Sequence, residues 1–135
     1  MGRVIKILTI GEIIAINRRL IAQFGGIFFD NNQNLLNLGS LEHVLIEIQG
    51  LFFGKDLYPS VFQKAAILCY RIIQGHVFYD GNKRTGMEVC RLTLDINGYK
   101  MRMGSEIVKM ATRIATDDVS FSDFANWVEE RCQEV

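Results

Sequence analysis

Pro59 is the one proline in 135 residues, and it stands directly before the strongest helical signal in the chain. A proline discourages helix in the residue before it and removes a donor that a first helical turn does not use. Ser60 and Gln63 then have the spacing of a capping box. Behind them Phe62, Ala65, Ala66, Cys69, Ile72 and Ile73 recur at helical spacing, so one face of this segment belongs to a core, and Gly75 closes it. With so little to break helices elsewhere, the chain is constrained toward a helical domain.

The other helices are marked by their ends. Thr9 and Glu12 form a second capping-box pattern ahead of the apolar-periodic run 13–24, which Gly25-Gly26 terminates. Residues 27–39 are rich in Asn and Gly and read as a loop with a turn at Asp30-Asn31-Asn32. Ser40 precedes a short helical run over 41–49. Residues 51–58 set aromatics around Gly54, compatible with a short hairpin or an irregular flap. A helix over about 82–96 stops at Asn97-Gly98. Ser105 opens a helix to about Ala115, and Ser120 with Asp123 opens the last, which carries Phe121, Phe124, Trp127 and Val128. No repeat, linker or low-complexity tract divides residues 1–135, so they read as one mainly α domain.

Composition narrows the function classes. The chain is 49% hydrophobic and 22% charged, with Lys and Arg balancing Asp and Glu. That supports a folded core and gives no basic surface for nucleic acid. Cys69, Cys90 and Cys132 are odd in number and lack metal-ligand spacing, so they are expected as free thiols in a reducing compartment, which places the chain in the cytoplasm. Residues 1–10, interrupted by Arg3 and Lys6, are not expected to be a signal peptide. No apolar run approaches the roughly 18 residues that suggest a membrane span.

The segment between the two central helices concentrates the chemistry: His76-Val77-Phe78-Tyr79-Asp80-Gly81-Asn82-Lys83-Arg84. It ends where a helix begins, so unpaired N–H groups and the helix dipole favour an anion there. Gly81 lets the backbone approach a ligand, and Lys83 and Arg84 add positive charge. Asp80 has two readings, a helix cap or a carboxylate holding a divalent cation against phosphates. His76 has two as well, a cap on the preceding helix or a base near neutral pH. Phe78 is expected to pin the loop to the core. These residues by themselves point to an anion-binding loop.

The pattern His76-x-Phe78-x-Asp80-Gly81-Asn82-Lys83-Arg84-Thr85 resembles the Fic/Doc family signature HxFx(D/E)GNxR, and best matches its Doc branch, HxFxDxNKRT. The likeness extends to Leu8-Thr9-Ile10-Gly11-Glu12, Phe24-Gly25-Gly26, the stretch Phe53 to Pro59 and Asn97-Gly98-Tyr99, covering roughly residues 8–130. The resemblance implies a compact helical bundle with a short flap, often a β-hairpin, beside the motif loop. It implies ATP and Mg²⁺, with His76, Asp80 and Arg84 catalytic, Gly81, Asn82, Lys83 and Arg84 binding nucleotide or phosphate, and Asp80 as the metal ligand. The flap, here Phe52, Phe53, Gly54, Lys55, Asp56, Leu57 and Tyr58, would dock the target's backbone by strand addition. The alternative is that its aromatics only seal the core.

Fic members mostly transfer AMP, whereas Doc-type members transfer phosphate, with elongation factor Tu as the family's target class. Lys83 separates the two: the AMP-transferring pattern has glycine there and a second arginine at the position of Met87. Val77 stands where proline is common, and the 27–39 loop looks longer than usual, which bears on the target. The expected reading is therefore a protein-hydroxyl phosphotransferase acting as a toxin and restrained by a Phd-like antitoxin. AMP transfer, or a non-catalytic binding module of the same fold, stands as the alternative. For the antitoxin, the apolar positions Phe121, Phe124 and Trp127, and Ile13, Ile16, Leu20 and Phe24, either leave a strip for a partner or simply pack the core.

Overall fold

A computed structural model of the chain describes residues 4–52 and 54–135. The order is α1 (Ile10–Phe24), a 3-10 turn (Asp30–Asn32), α2 (Leu38–Gln49), β1 (Leu51–Phe52), β2 (Lys55–Asp56), α3 (Val61–Gln74), α4 (Asn82–Asp95), β3 (Tyr99–Met101), α5 (Glu106–Ala115), α6 (Phe121–Glu130) and β4 (Cys132–Glu134). The mainly helical architecture expected from the caps is what forms.

Those caps are made as the spacing requires. Thr9 Oγ1 accepts the Glu12 N–H at 3.1 Å while Glu12 Oε1 accepts the Thr9 N–H at 2.9 Å. Ser60 and Gln63 repeat the arrangement at the start of α3. Ser120 Oγ accepts the Asp123 N–H at the start of α6. Each such cap satisfies an otherwise orphaned donor and contributes about 1 kcal/mol.

Helix α3 is the axis of the fold, packed against α4, α2, α5 and α6, while α1 lies on α4. Its spacing predicts one core face, but the structure buries it on two. Ala65, Ala66, Cys69 and Ile73 join a cluster with Met87, Cys90, Leu94, Ile114, Phe124 and Val128. Ile67, Leu68 and Ile72 join another with Ile13, Leu20, Leu41, Val44, Phe78 and Val89. The continuous apolar stretch Ala65 to Cys69 allows this, because it wraps the helix. Truncating Leu68 or Ile72, both fully buried, to Ala should cost about 2–5 kcal/mol.

Other elements depart from the sequence reading. Helix α2 starts at Leu38, one turn earlier than Ser40 suggests, with Asn37 as an N-cap whose side chain does not cap it. The Asn37 amide instead donates to the Gly75 carbonyl at 3.0 Å, a tertiary contact. Strands β3 and β4 pair antiparallel, Tyr99 opposite Glu134 and Met101 opposite Cys132. Three-residue strands carry too little alternation to be read from sequence. Phe124 is fully buried, and Phe121 and Trp127 pack partly buried against the same cluster, so the α6 aromatics are core. On α1 the residues Ile13, Ile16 and Leu20 are buried as well, and only Phe24 is exposed.

The expected hairpin forms, with Leu51 opposite Asp56 and Phe52 opposite Lys55. It leads into the N-terminal end of α3, whereas the motif loop leaves the C-terminal end. The 14 residues of α3 span about 21 Å at 1.5 Å per residue. A flap directly beside the motif loop is therefore not what this chain builds, because the helix holds its two ends apart. Cys69 and Cys90 are buried free thiols, and Cys132 is a half-buried one. Burial pushes the Cys69 and Cys90 thiols well up, and that of Cys132 to about 11. Among the described residues no helix is long and apolar enough to cross a membrane.

Candidate active site

The loop between α3 and α4 is held from both sides. Val77 and Phe78 are fully buried, so the loop is anchored at its centre. The Val77 carbonyl accepts the N–H groups of Leu36 and Asn37 at 2.9 and 3.0 Å, and the Tyr79 N–H donates to the Asn34 carbonyl at 2.9 Å. Leu35 and Phe78 form an isolated antiparallel bridge. The segment before α2 thus runs alongside the motif loop, in the place where the hairpin was expected. Its Phe29 ring meets Tyr79 edge to face, with centroids 5.1 Å apart.

Within the loop, Asn82 clamps the backbone. Its Oδ1 accepts the Phe78 N–H at 2.9 Å and its Nδ2 donates to the Phe78 carbonyl at 2.8 Å. The Asn82 side chain is therefore committed to loop shape, and its backbone N–H is what it offers an anion. Gly81 is the N-cap of α4 with φ of 79°, a left-handed conformation that suits glycine. Asp80 does not cap the helix. Its Oδ1 accepts the Gly81 N–H at 2.8 Å and its Oδ2 accepts the Ile27 N–H at 2.9 Å.

The first intrahelical bond of α4 runs from the Thr85 N–H to the Gly81 carbonyl, and no side chain caps this end. The N–H groups of Asn82, Lys83 and Arg84 precede that bond and form a donor cluster at the positive end of the helix dipole. The Lys83 and Arg84 side chains are exposed there, and the Arg84 guanidinium lies 4.6 Å from the centroid of the Phe24 ring. His76 is exposed and has φ of 46°, so its backbone turns sharply out of α3. It makes no side-chain hydrogen bond among the described residues, leaving its imidazole available. His76, Asp80, Gly81, Asn82, Lys83 and Arg84 all line one cleft of about 570 Å³, whose opposite wall is apolar, from Ile107, Val108, Ala111 and Ala115. An anion nest facing an apolar wall suits a ligand with a phosphate end and a flat apolar end.

The Fic/DOC family model matches residues 7–94. The chain belongs to the Fic/Doc family. It is 26% identical over 113 residues to a protein named Toxin Doc from Mycolicibacterium smegmatis (strain ATCC 700084 / mc(2)155), covering 82% of this chain and 87% of that one. It is 25% identical over 115 residues to Protein kinase doc of Escherichia phage P1, covering 85% and 86%.

Asp80 fits a magnesium ion that arrives with phosphate. Among the described residues no cluster of three or more His, Cys, Asp or Glu side chains is placed to hold a metal. The Asp80 carboxylate is half-exposed in the cleft. Each of its oxygens accepts one N–H and keeps a further lone pair. Magnesium held by one carboxylate and completed by phosphate oxygens and water matches that donor set.

The structure does not bring the hairpin residues to this cleft. Gly54, Lys55 and Leu57 are exposed at the far end of α3, and Phe53 lies outside the described residues. Asp56 and Tyr58 are turned to the fold. Asp56 pairs with the buried Lys64 ammonium at 2.9 Å, and this bond holds its carboxyl below the ordinary carboxylate value. Tyr58 packs edge-on against Phe121 and donates to Glu47, with burial the main cause raising its phenol. Sequence reasoning missed four residues that shape the site: Asn17, Gly26, Asn34 and Phe24 in its contact with Arg84. Gly26 has φ of 126°, and a Cβ there would fall 2.8 Å from Asp80 Oδ2. The Phe24-Gly25-Gly26 signal is visible in the sequence as a helix terminator and as part of the family likeness, but not as room for the Asp80 carboxylate.

Proposed function

We propose that this chain is a Doc-type toxin that transfers the γ-phosphate of ATP to a hydroxyl group of a protein. The observation that carries this reading is the uncapped start of α4, where Lys83 occupies the second helical position and shares the cleft with His76 and Asp80. The N–H groups of Asn82, Lys83 and Arg84 hold phosphate oxygens, and the two side-chain cations neutralise charge at the phosphorus undergoing attack. Magnesium, when bound at Asp80, supplies further charge neutralisation on the phosphates. The exposed His76 imidazole takes the acceptor hydroxyl's proton as the new oxygen–phosphorus bond forms and the bond to the ADP oxygen breaks.

Lys83 and Met87 favour phosphate over AMP. A lysine at the second helical position fills space and adds charge where glycine would leave room for another nucleotide phosphate. Met87 is buried and lines the cleft without a charge. Elongation factor Tu is the target class, acted on in the cytoplasm, and a Phd-like antitoxin encoded nearby is the restraining partner.

The test is label transfer. The purified chain is incubated with cell extract and ATP labelled at the α or the γ position. Protein labelled from γ alone is the expected result. Protein labelled from α would establish AMP transfer instead, and nucleotide binding with no transfer would make the chain a binding module.

A further inference from the structure

Two side-chain amides are completely buried beside the motif loop: Asn17 on α1 and Asn34 in the segment before α2. A buried amide is costly unless its donors and acceptor find partners. Here they form one directed chain. The Phe29 N–H donates to Asn34 Oδ1 at 3.1 Å. A backbone N–H can only donate, so this contact fixes which end of the Asn34 amide is oxygen. Asn34 Nδ2 then donates to Asn17 Oδ1 at 3.0 Å. Asn17 Nδ2 is left facing the motif loop, where it donates to the Asp80 carbonyl and to Thr85 Oγ1, each at 3.0 Å.

Asp80 is therefore gripped at two points by one segment. Its carboxylate accepts the Ile27 N–H directly, and its carbonyl is reached from Phe29 through Asn34 and Asn17. The bond to the carbonyl resists tilting of the peptide plane, and the N–H groups of Ile27 and Gly81 on the two carboxylate oxygens resist rotation of the carboxylate. The packing is close, since a Cβ on Gly81 would lie 3.0 Å from Asn17 Nδ2. Simple core filling at Asn17 would be served at lower desolvation cost by leucine.

We propose that Asn17, oriented by Asn34, is a positioning residue that sets the direction in which Asp80 presents its carboxylate to phosphate-bound magnesium. This rests on the phosphotransferase reading. Asn17 touches neither phosphate nor metal and acts through the Asp80 peptide. Outer partners of this kind typically change metal affinity or activity by about 10–100-fold when lost.

The test is calorimetric binding of ATP to the whole chain, with magnesium and with a chelator. Asn17→Leu keeps about the same side-chain volume, adds no charge and deletes the donor to Asp80. Its affinity for magnesium-ATP should fall about tenfold or more, while metal-free ATP, held by the α4 terminus, binds as before. Asn34→Leu deletes the donor that orients Asn17 without adding charge, so it should shift binding in the same direction. It also decides the matter should Asn17→Leu not fold. Val44→Ala, which truncates a fully buried residue on α2, should lower Tm and leave both affinities in place. If the asparagine variants keep the wild-type magnesium dependence, or if Val44→Ala loses magnesium-ATP equally, the positioning role is overturned and the phosphotransferase reading stands. Wild-type binding indifferent to magnesium overturns both.

Discussion

Gly25→Ala and Gly26→Ala form a matched pair that isolates the contact between Gly26 and Asp80. Both glycines have positive φ, 94° and 126°. A Cβ in such a conformation costs about 1–2 kcal/mol. At about 4 °C per kcal/mol for a domain of this size, each variant should lose about 4–8 °C of Tm. There the two part. At Gly25 a new Cβ meets nothing within 4 Å, whereas at Gly26 it meets Asp80 Oδ2 at 2.8 Å and Asp80 Cγ at 3.5 Å. Relaxing the 2.8 Å approach to an ordinary contact of about 3.5 Å displaces the carboxylate by about 0.7 Å. That movement strains the Ile27 N–H bond to the same oxygen. Being at the surface, this bond is worth only about 1 kcal/mol, so the added stability loss is small. The catalytic loss is larger, because misplacing a reacting-site group by most of an ångström costs on the order of 10²-fold in rate. Thermal unfolding and γ-label transfer measured on both variants should therefore give Tm values within about 4 °C of each other and a transfer rate markedly lower in Gly26→Ala than in Gly25→Ala, whose new Cβ stands in the open cleft. Equal transfer rates would refute the argument that Gly26 is glycine to make room for the carboxylate.

His76→Asn should keep the wild-type fold, since asparagine tolerates positive φ and the imidazole makes no side-chain bond within the described fold. Transfer and growth arrest should both disappear, and arrest persisting in this variant would remove His76 as the base. Phe24→Ala deletes the surface on which the Arg84 guanidinium rests. An exposed cation–π contact is worth about 0.5–1 kcal/mol, so the KM for ATP should rise about two- to fivefold with Tm nearly unchanged. The Lys64 bond holds the Asp56 carboxyl below its ordinary value, so the folded chain releases that proton more readily than the unfolded one. Its stabilising contribution is complete above the ordinary carboxylate pKa and is lost as pH falls through the depressed folded value. Urea unfolding against pH should therefore show a shallower acid limb in Asp56→Asn than in the wild type, and identical limbs would show that the pair does not report on folding.

Local signals carried much of this protein. Thr9, Ser60 and Ser120 begin their helices as their capping spacings require, because a cap is a contact between residues three apart. The motif from His76 to Thr85 was legible for a similar reason: a loop, a glycine and a helix start lie in one short segment, and the anion nest is a property of that helix end. The hairpin at 51–56 was visible as a turn, but its distance from the motif loop was not, since that depends on α3 standing between them as a rigid rod. Nor could the run from Ala65 to Cys69 show that α3 would be buried on two sides, which required knowing that α6 and α2 flank it. In the sequence Asn17 is one of several polar residues of α1, next to Arg18 and Arg19, and Asn34 is one more asparagine in an Asn-rich loop. Only the tertiary structure gave them their role. An amide's orientation is set by its partners, and theirs come from α1, the segment before α2 and the start of α4, up to 68 residues apart in the chain.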